Sequence, residues 1–78
     1  VLGRWGVSAD ILAIIHRNDH TSDGWQHRLA VKLQSMDEAD VVKLPYKDPT
    51  RQTYRRVMRW AREQTTEQVE AEIRRVMS

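Results

Sequence analysis

Three histidines, His16, His20 and His27, are the side chains of this chain best suited to hold a metal ion. None has a partner at helical or hairpin spacing that completes a ligand set, and His16 and His20 flank a turn. Three carboxylates, Asp37, Glu38 and Asp40, sit close enough in sequence for acid/base work. Their spacing fits the capped start of a helix better than a catalytic pair. Ser8 or Ser35 can be matched to a histidine only by invention, because no spacing supports a nucleophile and its base. Glycine occurs only at positions 3, 6 and 24, so no glycine-rich phosphate loop exists. These residues predict no catalytic residue, no metal and no cofactor, and the chain is expected not to be an enzyme.

Charge is placed unevenly. Arg51, Arg55, Arg56, Arg59 and Arg62 fall in one stretch with no acid among them, while Asp37, Glu38 and Asp40 fall in another. The totals nearly cancel, with 13 basic against 11 acidic residues and a net charge of +2. A nucleic-acid binder usually concentrates positive charge more strongly. The 78 residues fit one domain, spanning 1–78, and leave no room for a second. A core of this size stabilises by about 3–5 kcal/mol without staples. Cysteine is absent, which removes disulfides and thiolate metal sites and suits a reducing compartment. No apolar run approaches the ~20 residues of a membrane span, and no signal peptide is visible.

Apolar spacing follows the helical period and never alternates, which predicts an all-α domain. A first helix is expected from Ser8, whose hydroxyl can cap it, with Ile11, Leu12, Ile14 and Ile15 as its apolar face. Trp5 is placed before that helix, between Gly3 and Gly6. Residues 20–24 have turn composition. A second helix runs from Trp25, with Leu29 and Leu33 at i+4 and i+8 and Ala30 and Val31 widening the stripe. Ser35-Met36-Asp37-Glu38 has capping-box spacing and opens a short third helix carrying Val41, Val42 and Leu44, stopped by Pro45. Asp48-Pro49 opens a fourth, with proline at its first position. Tyr54, Val57, Met58 and Ala61 form its buried face, Trp60 falls at the core's edge, and the arginines take the opposite side. Thr65 to Gln68 repeats the capping-box spacing, and Val69, Ile73, Val76 and Met77 follow. Short connections between five helices predict a small antiparallel helical bundle.

From Gly24 to Met77 the order of these signals resembles a death domain. Trp25, Leu29-Ala30 and Leu33 match the second helix of that family, and Ser35-Met36-Asp37-Glu38 matches its short, acidic third. Val57-Met58-Arg59-Trp60 matches the fourth, and the threonine-led stretch from Thr65 matches the fifth. Death domains usually have six helices, whereas signals here account for five. The connection between the fourth and fifth is also shorter than usual. The resemblance implies a death-domain-like bundle that does no chemistry and binds another death-domain protein or a second copy of itself. The implied setting is a cytoplasmic signalling complex, such as those of apoptosis or innate immunity. In that family the first and fourth helices of one copy meet the second and third region of another. The expected partner-binding residues are therefore Arg55, Arg56, Arg59 and Arg62 on one face, and Asp37, Glu38 and Asp40 on a different one.

Two other functions stay open on the residues. A docking module of another helical family would show similar stripes. A small DNA-binding domain would use either Leu29 to Leu44 as a helix-turn-helix or the arginine helix directly. The first form would aim Asp37, Glu38 and Asp40 at phosphates, which repel them. No membrane or small-molecule partner is expected.

Overall fold

The computed structural model of the chain describes residues 2–18 and 20–78, with side chains from residue 7 onward apart from residue 19. Five helices follow one another: α1 (Leu2–His16), α2 (Trp25–Ser35), α3 (Glu38–Lys43), α4 (Thr50–Arg62) and α5 (Thr66–Met77). There is no strand among the described residues, so the all-α expectation holds. α1 packs on α4 and α5, α2 on α5 and α4, and α3 on α4.

The buried stripes meet in one core. Ile11, Ile14 and Ile15 of α1 join Leu29, Ala30 and Leu33 of α2, Val41 of α3, Tyr54, Val57, Met58 and Ala61 of α4, and Val69 and Ile73 of α5. Trp25, Trp60 and Val76 lie partly buried against this cluster, Trp60 at its edge as its helical angle predicts. Four apolar residues expected on the buried stripes are instead exposed: Leu12, Val31, Val42 and Met77. Leu12, Val31 and Val42 each adjoin a buried neighbour and Met77 adjoins the partly buried Val76, and a 100° step along a helix is enough to carry the next residue off the stripe.

Two helix starts differ from expectation. α1 begins at Leu2, not at Ser8, so the backbone at Trp5 is helical; the role of the Trp5 side chain lies outside the described residues. The Ser8 hydroxyl donates to Glu72 Oε2 at 3.1 Å, tying α1 to α5 instead of capping a first turn. The box at the start of α3 is also shifted by two residues. Its cap is Asp37, in an extended conformation, whose Oδ1 accepts from the Asp40 amide at 3.1 Å. Asp40 Oδ2 accepts in return from the Asp37 amide at 3.1 Å. Ser35 is still helical at the end of α2, and its hydroxyl donates back to the Val31 carbonyl at 2.8 Å. A carboxylate is a stronger acceptor for free amides at a helix start than a hydroxyl, which favours the later position.

The other three starts follow the sequence closely, α2 beginning at Trp25 as expected. Thr65 Oγ1 accepts from the Gln68 amide at 3.1 Å, and Gln68 Oε1 accepts from the Thr65 amide at 2.8 Å. Pro49, expected as the first helical residue of α4, falls at its cap instead, one position before Thr50.

Polar side chains close the ends of these helices. Gln34 Nε2 donates to the carbonyls of Ala61 (3.3 Å) and Gln64 (2.9 Å), where α4 ends, and its Oε1 accepts from Thr66 Oγ1 at 2.7 Å. Arg51 Nη2 donates to the carbonyls of Val42 (3.2 Å) and Leu44 (3.5 Å), where α3 ends. Ala61 and Val42 lie in the last turns of their helices, where carbonyls lack the regular i+4 amide, and Leu44 and Gln64 lie just beyond. Gly24, at φ 73°, takes the left-handed conformation that turns the chain into α2.

Candidate interaction surface

The helical period puts Arg55, Arg59 and Arg62 along one side of α4, each three or four residues from the next. Their surroundings differ sharply. Arg55 straddles Glu38 of α3, with Nε donating at 2.9 and 3.1 Å and Nη2 at 2.5 Å. Asp48 adds a weaker attraction, at 4.0 Å from Arg55 Nη1. The hydrogen bonds from Arg55 hold Glu38 below the ordinary carboxylate range, and the same bonds raise the Arg55 guanidinium further above its normal value.

Arg56 points toward α1. Its Nε and Nη2 donate to the two oxygens of Asp10 at 2.7 and 2.9 Å. Asp10 is only 9% exposed, so this carboxylate is all but buried and its partner is the guanidinium. A paired fork of this kind is the strongest way a protein satisfies such a group. Arg62 Nη2 donates to the carbonyl of Met36 at 2.7 Å, in the link between α2 and α3. Arg59 is exposed and has neither a hydrogen bond nor an ion pair among the described residues.

The expected separation of charges is therefore corrected. Acidic and basic residues were placed on different faces, yet α3 lies against α4 and Glu38 neutralises Arg55 within one molecule. Asp37 and Asp40 are exposed, but each caps the other's amide at the start of α3. Arg56 is a tie between α1 and α4, and of the four expected arginines only Arg59 has no internal partner among the described residues. Sequence reasoning missed Asp10. A signal was present, because Asp10 stands one helical turn before Ile14 on the buried side of α1, where a carboxylate requires a cation.

Between α3 and α4 these side chains line a groove of about 350 Å³, bounded by Glu38, Arg55, Met58, Arg59, Arg62 and Glu63. Met58, 5% exposed, supplies its apolar floor. Three guanidiniums face two carboxylates here, and one of those carboxylates is already taken by Arg55. A larger cleft of about 540 Å³ opens between α1, α4 and α5, with Val7, Trp60 and Arg75 among its walls. It contains none of the expected residues.

The histidines are dispersed. His20 stacks edge-on with His16 and with Trp25, at ring separations of 6.2 and 6.1 Å, and His27 Nδ1 lies 3.1 Å from Glu70 Oε2. Among the described residues no three His, Cys, Asp or Glu side chains gather as ligands for a metal ion. No described helix is long and apolar enough to cross a membrane. Comparison of the chain with family models, with curated proteins and with solved structures gives no match.

Proposed function

We propose that this chain is a protein–protein docking module of the death-domain kind, which assembles a cytoplasmic signalling complex by binding a second copy or another domain of the same type. The observation that carries this proposal is Arg59. It is an exposed guanidinium without an internal partner among the described residues, set beside Arg62 and above an apolar floor at Met58. A planar cation in that position is suited to a carboxylate brought by another protein. The order of helices and the motifs from Trp25 to Met77 support the same conclusion by resemblance.

Arg59 and Arg62 are proposed to carry the basic half of the contact, with Asp37 and Asp40 of the partner copy as the acidic half. Arg55, Arg56 and Glu38 hold the domain together and support the groove from within. The same internal pairing leaves the arginine helix few cations free for phosphates, which argues against the DNA-binding alternative.

Sedimentation at low and physiological salt tests the proposal. The wild-type chain is expected to associate with concentration and to dissociate as salt rises. Arg59→Glu is expected to weaken association by about tenfold or more with little change in melting temperature. Association insensitive to both salt and Arg59→Glu would remove the proposed contact. Tight binding of a labelled DNA duplex with a steep salt slope would replace it with a nucleic-acid function.

A further inference from the structure

We propose that Ser35 is a phosphoacceptor for a serine kinase that selects acidic sequences, and that its phosphate reverses the charge of the α3–α4 groove. The acceptor half of this inference stands alone, and the charge half rests on the docking proposal above. Nine serines and threonines occur in the chain, and only Ser35 is followed by acids at both the second and third positions, Asp37 and Glu38. Because Asp37 caps α3, Ser35 has no capping duty, and its side chain is exposed at the last turn of α2. The next two residues are extended, Met36 at φ −69°, ψ 148° and Asp37 at φ −130°, ψ −176°. An acceptor hydroxyl at the head of an extended link, with the exposed carboxylate of Asp37 two residues on and that of Glu38 paired to Arg55 at the surface, suits an enzyme whose basic substrate cleft competes with Arg55 for Glu38. Lys32, one turn upstream, is turned aside by its bond to Asn18 Oδ1 at 3.0 Å.

In the transfer, Ser35 Oγ bonds to the γ-phosphorus of MgATP as the bridge to the β-phosphate breaks. ADP leaves, and the hydroxyl proton passes to the kinase's catalytic aspartate. Ser35 then loses the hydrogen with which it donates to Val31 and Lys32. The added charge is about −1.5 to −2 at neutral pH. It lies one residue from Met36, whose carbonyl Arg62 holds at 2.7 Å. Ser35 is not among the residues that line the groove, so the phosphate acts on Arg62 from the neighbouring link, through a field that physiological salt partly screens. The groove has a small positive excess, which a charge of that size overturns. Carboxylates of a partner are then repelled where they were attracted.

The test uses the folded chain, MgATP and a purified acid-directed serine kinase, with intact mass and fragment mapping as the readout. One phosphoryl group on Ser35 is expected, lost in Ser35→Ala and slowed about fivefold or more in Glu38→Gln, which leaves the Asp37–Asp40 cap in place. No transfer to the folded chain where the denatured chain is labelled, or transfer that persists in Ser35→Ala, would overturn the site. For the charge effect, the Arg62 side-chain Nε–H resonance is expected to shift on phosphorylation, and sedimentation is expected to show association weakened by about tenfold. A phosphorylated chain with an unmoved Arg62 signal would defeat the charge effect. If Arg62 moves but neither form associates, the docking proposal fails while Ser35 stands as the acceptor.

Discussion

The guanidinium of Arg55 and the carboxylate of Glu38 face each other across the contact between α4 and α3, with three N–H···O approaches of 2.5 to 3.1 Å. Seventeen positions separate them in sequence, and the pair consumes one member of each charge cluster. What looks in the sequence like two surfaces awaiting partners is, at this point, one closed contact. Both groups are at the surface, so the pair contributes modestly to stability and weakens with salt. Its use is to fix where the short α3 sits on α4, and so to shape the groove around Arg59.

Glu38 offers a direct pH test. Its pKa is lowered from an ordinary value of 4.5, first of all by the hydrogen bonds from Arg55. A depressed carboxylate adds stability that is fully present above its unfolded value and is lost as pH falls through its folded one. Carboxyl-detected NMR titration is expected to give Glu38 a midpoint below 4.5 in the wild type, returning toward 4.5 in Arg55→Gln. An unchanged midpoint in that variant would show that the pair does not form in solution.

Asp10 and Arg56 couple α1 to α4 more strongly, because the carboxylate is nearly buried. Arg56→Ala leaves that carboxylate without its fork, which costs about 1–3 kcal/mol. In a domain of this size the fall in melting temperature is roughly 4–24 °C. Replacing both residues, as in Asp10→Asn with Arg56→Gln, is expected to cost less than the sum of the single changes. Thermal melts of the four proteins check this, and strict additivity would mean the two residues act independently.

The register of the α3 cap separates two neighbouring residues. Asp37→Ala removes an acceptor from the first turn and is expected to cost about 1 kcal/mol. Ser35→Ala removes only hydrogen bonds from an exposed hydroxyl to carbonyls in its own helix and is expected to stay within about 0.5 kcal/mol of wild type. Urea melts yielding the reverse order would put the cap back at Ser35.

Leu33 and Val31 lie two residues apart on α2, the first fully buried and the second 44% exposed. Leu33→Ala is expected to cost about 2–5 kcal/mol, enough to unfold much of a domain holding about 3–5 kcal/mol. Val31→Ala is expected to stay within about 0.5 kcal/mol. Circular dichroism melts distinguish them, and equal losses would mean that α2 is rotated about its axis.

Local signals carried most of the fold. The stripes Leu29–Leu33, Tyr54–Ala61 and Val69–Ile73 are buried as their period requires, and the Thr65–Gln68 box forms as its spacing requires. Helical period and capping depend on residues three or four apart, which a sequence displays directly. The start of α1 was not legible in this way. Gly3 and Gly6 weaken a helix locally, yet the helix runs through both positions. Ser8, the expected cap, bonds instead to Glu72, 64 positions away. Ser35 lost its expected role for a nearer reason, because Asp37 is the better acceptor two residues on.

The candidate surface divides along the same line. The sequence by itself determined that arginines would share one side of α4 and that acids would crowd the start of α3, since both follow from spacing along single helices. Only the tertiary structure decided which of those charges remain available. Arg55 meets Glu38, Arg56 meets Asp10 and Arg62 meets the Met36 carbonyl, while Arg59 stays exposed without an ion-pair partner among the described residues. Each pairing joins groups 17 to 46 positions apart. An ion pair depends on distances of a few ångströms between side chains, and those are set by how whole helices pack, not by the order of residues along any one of them.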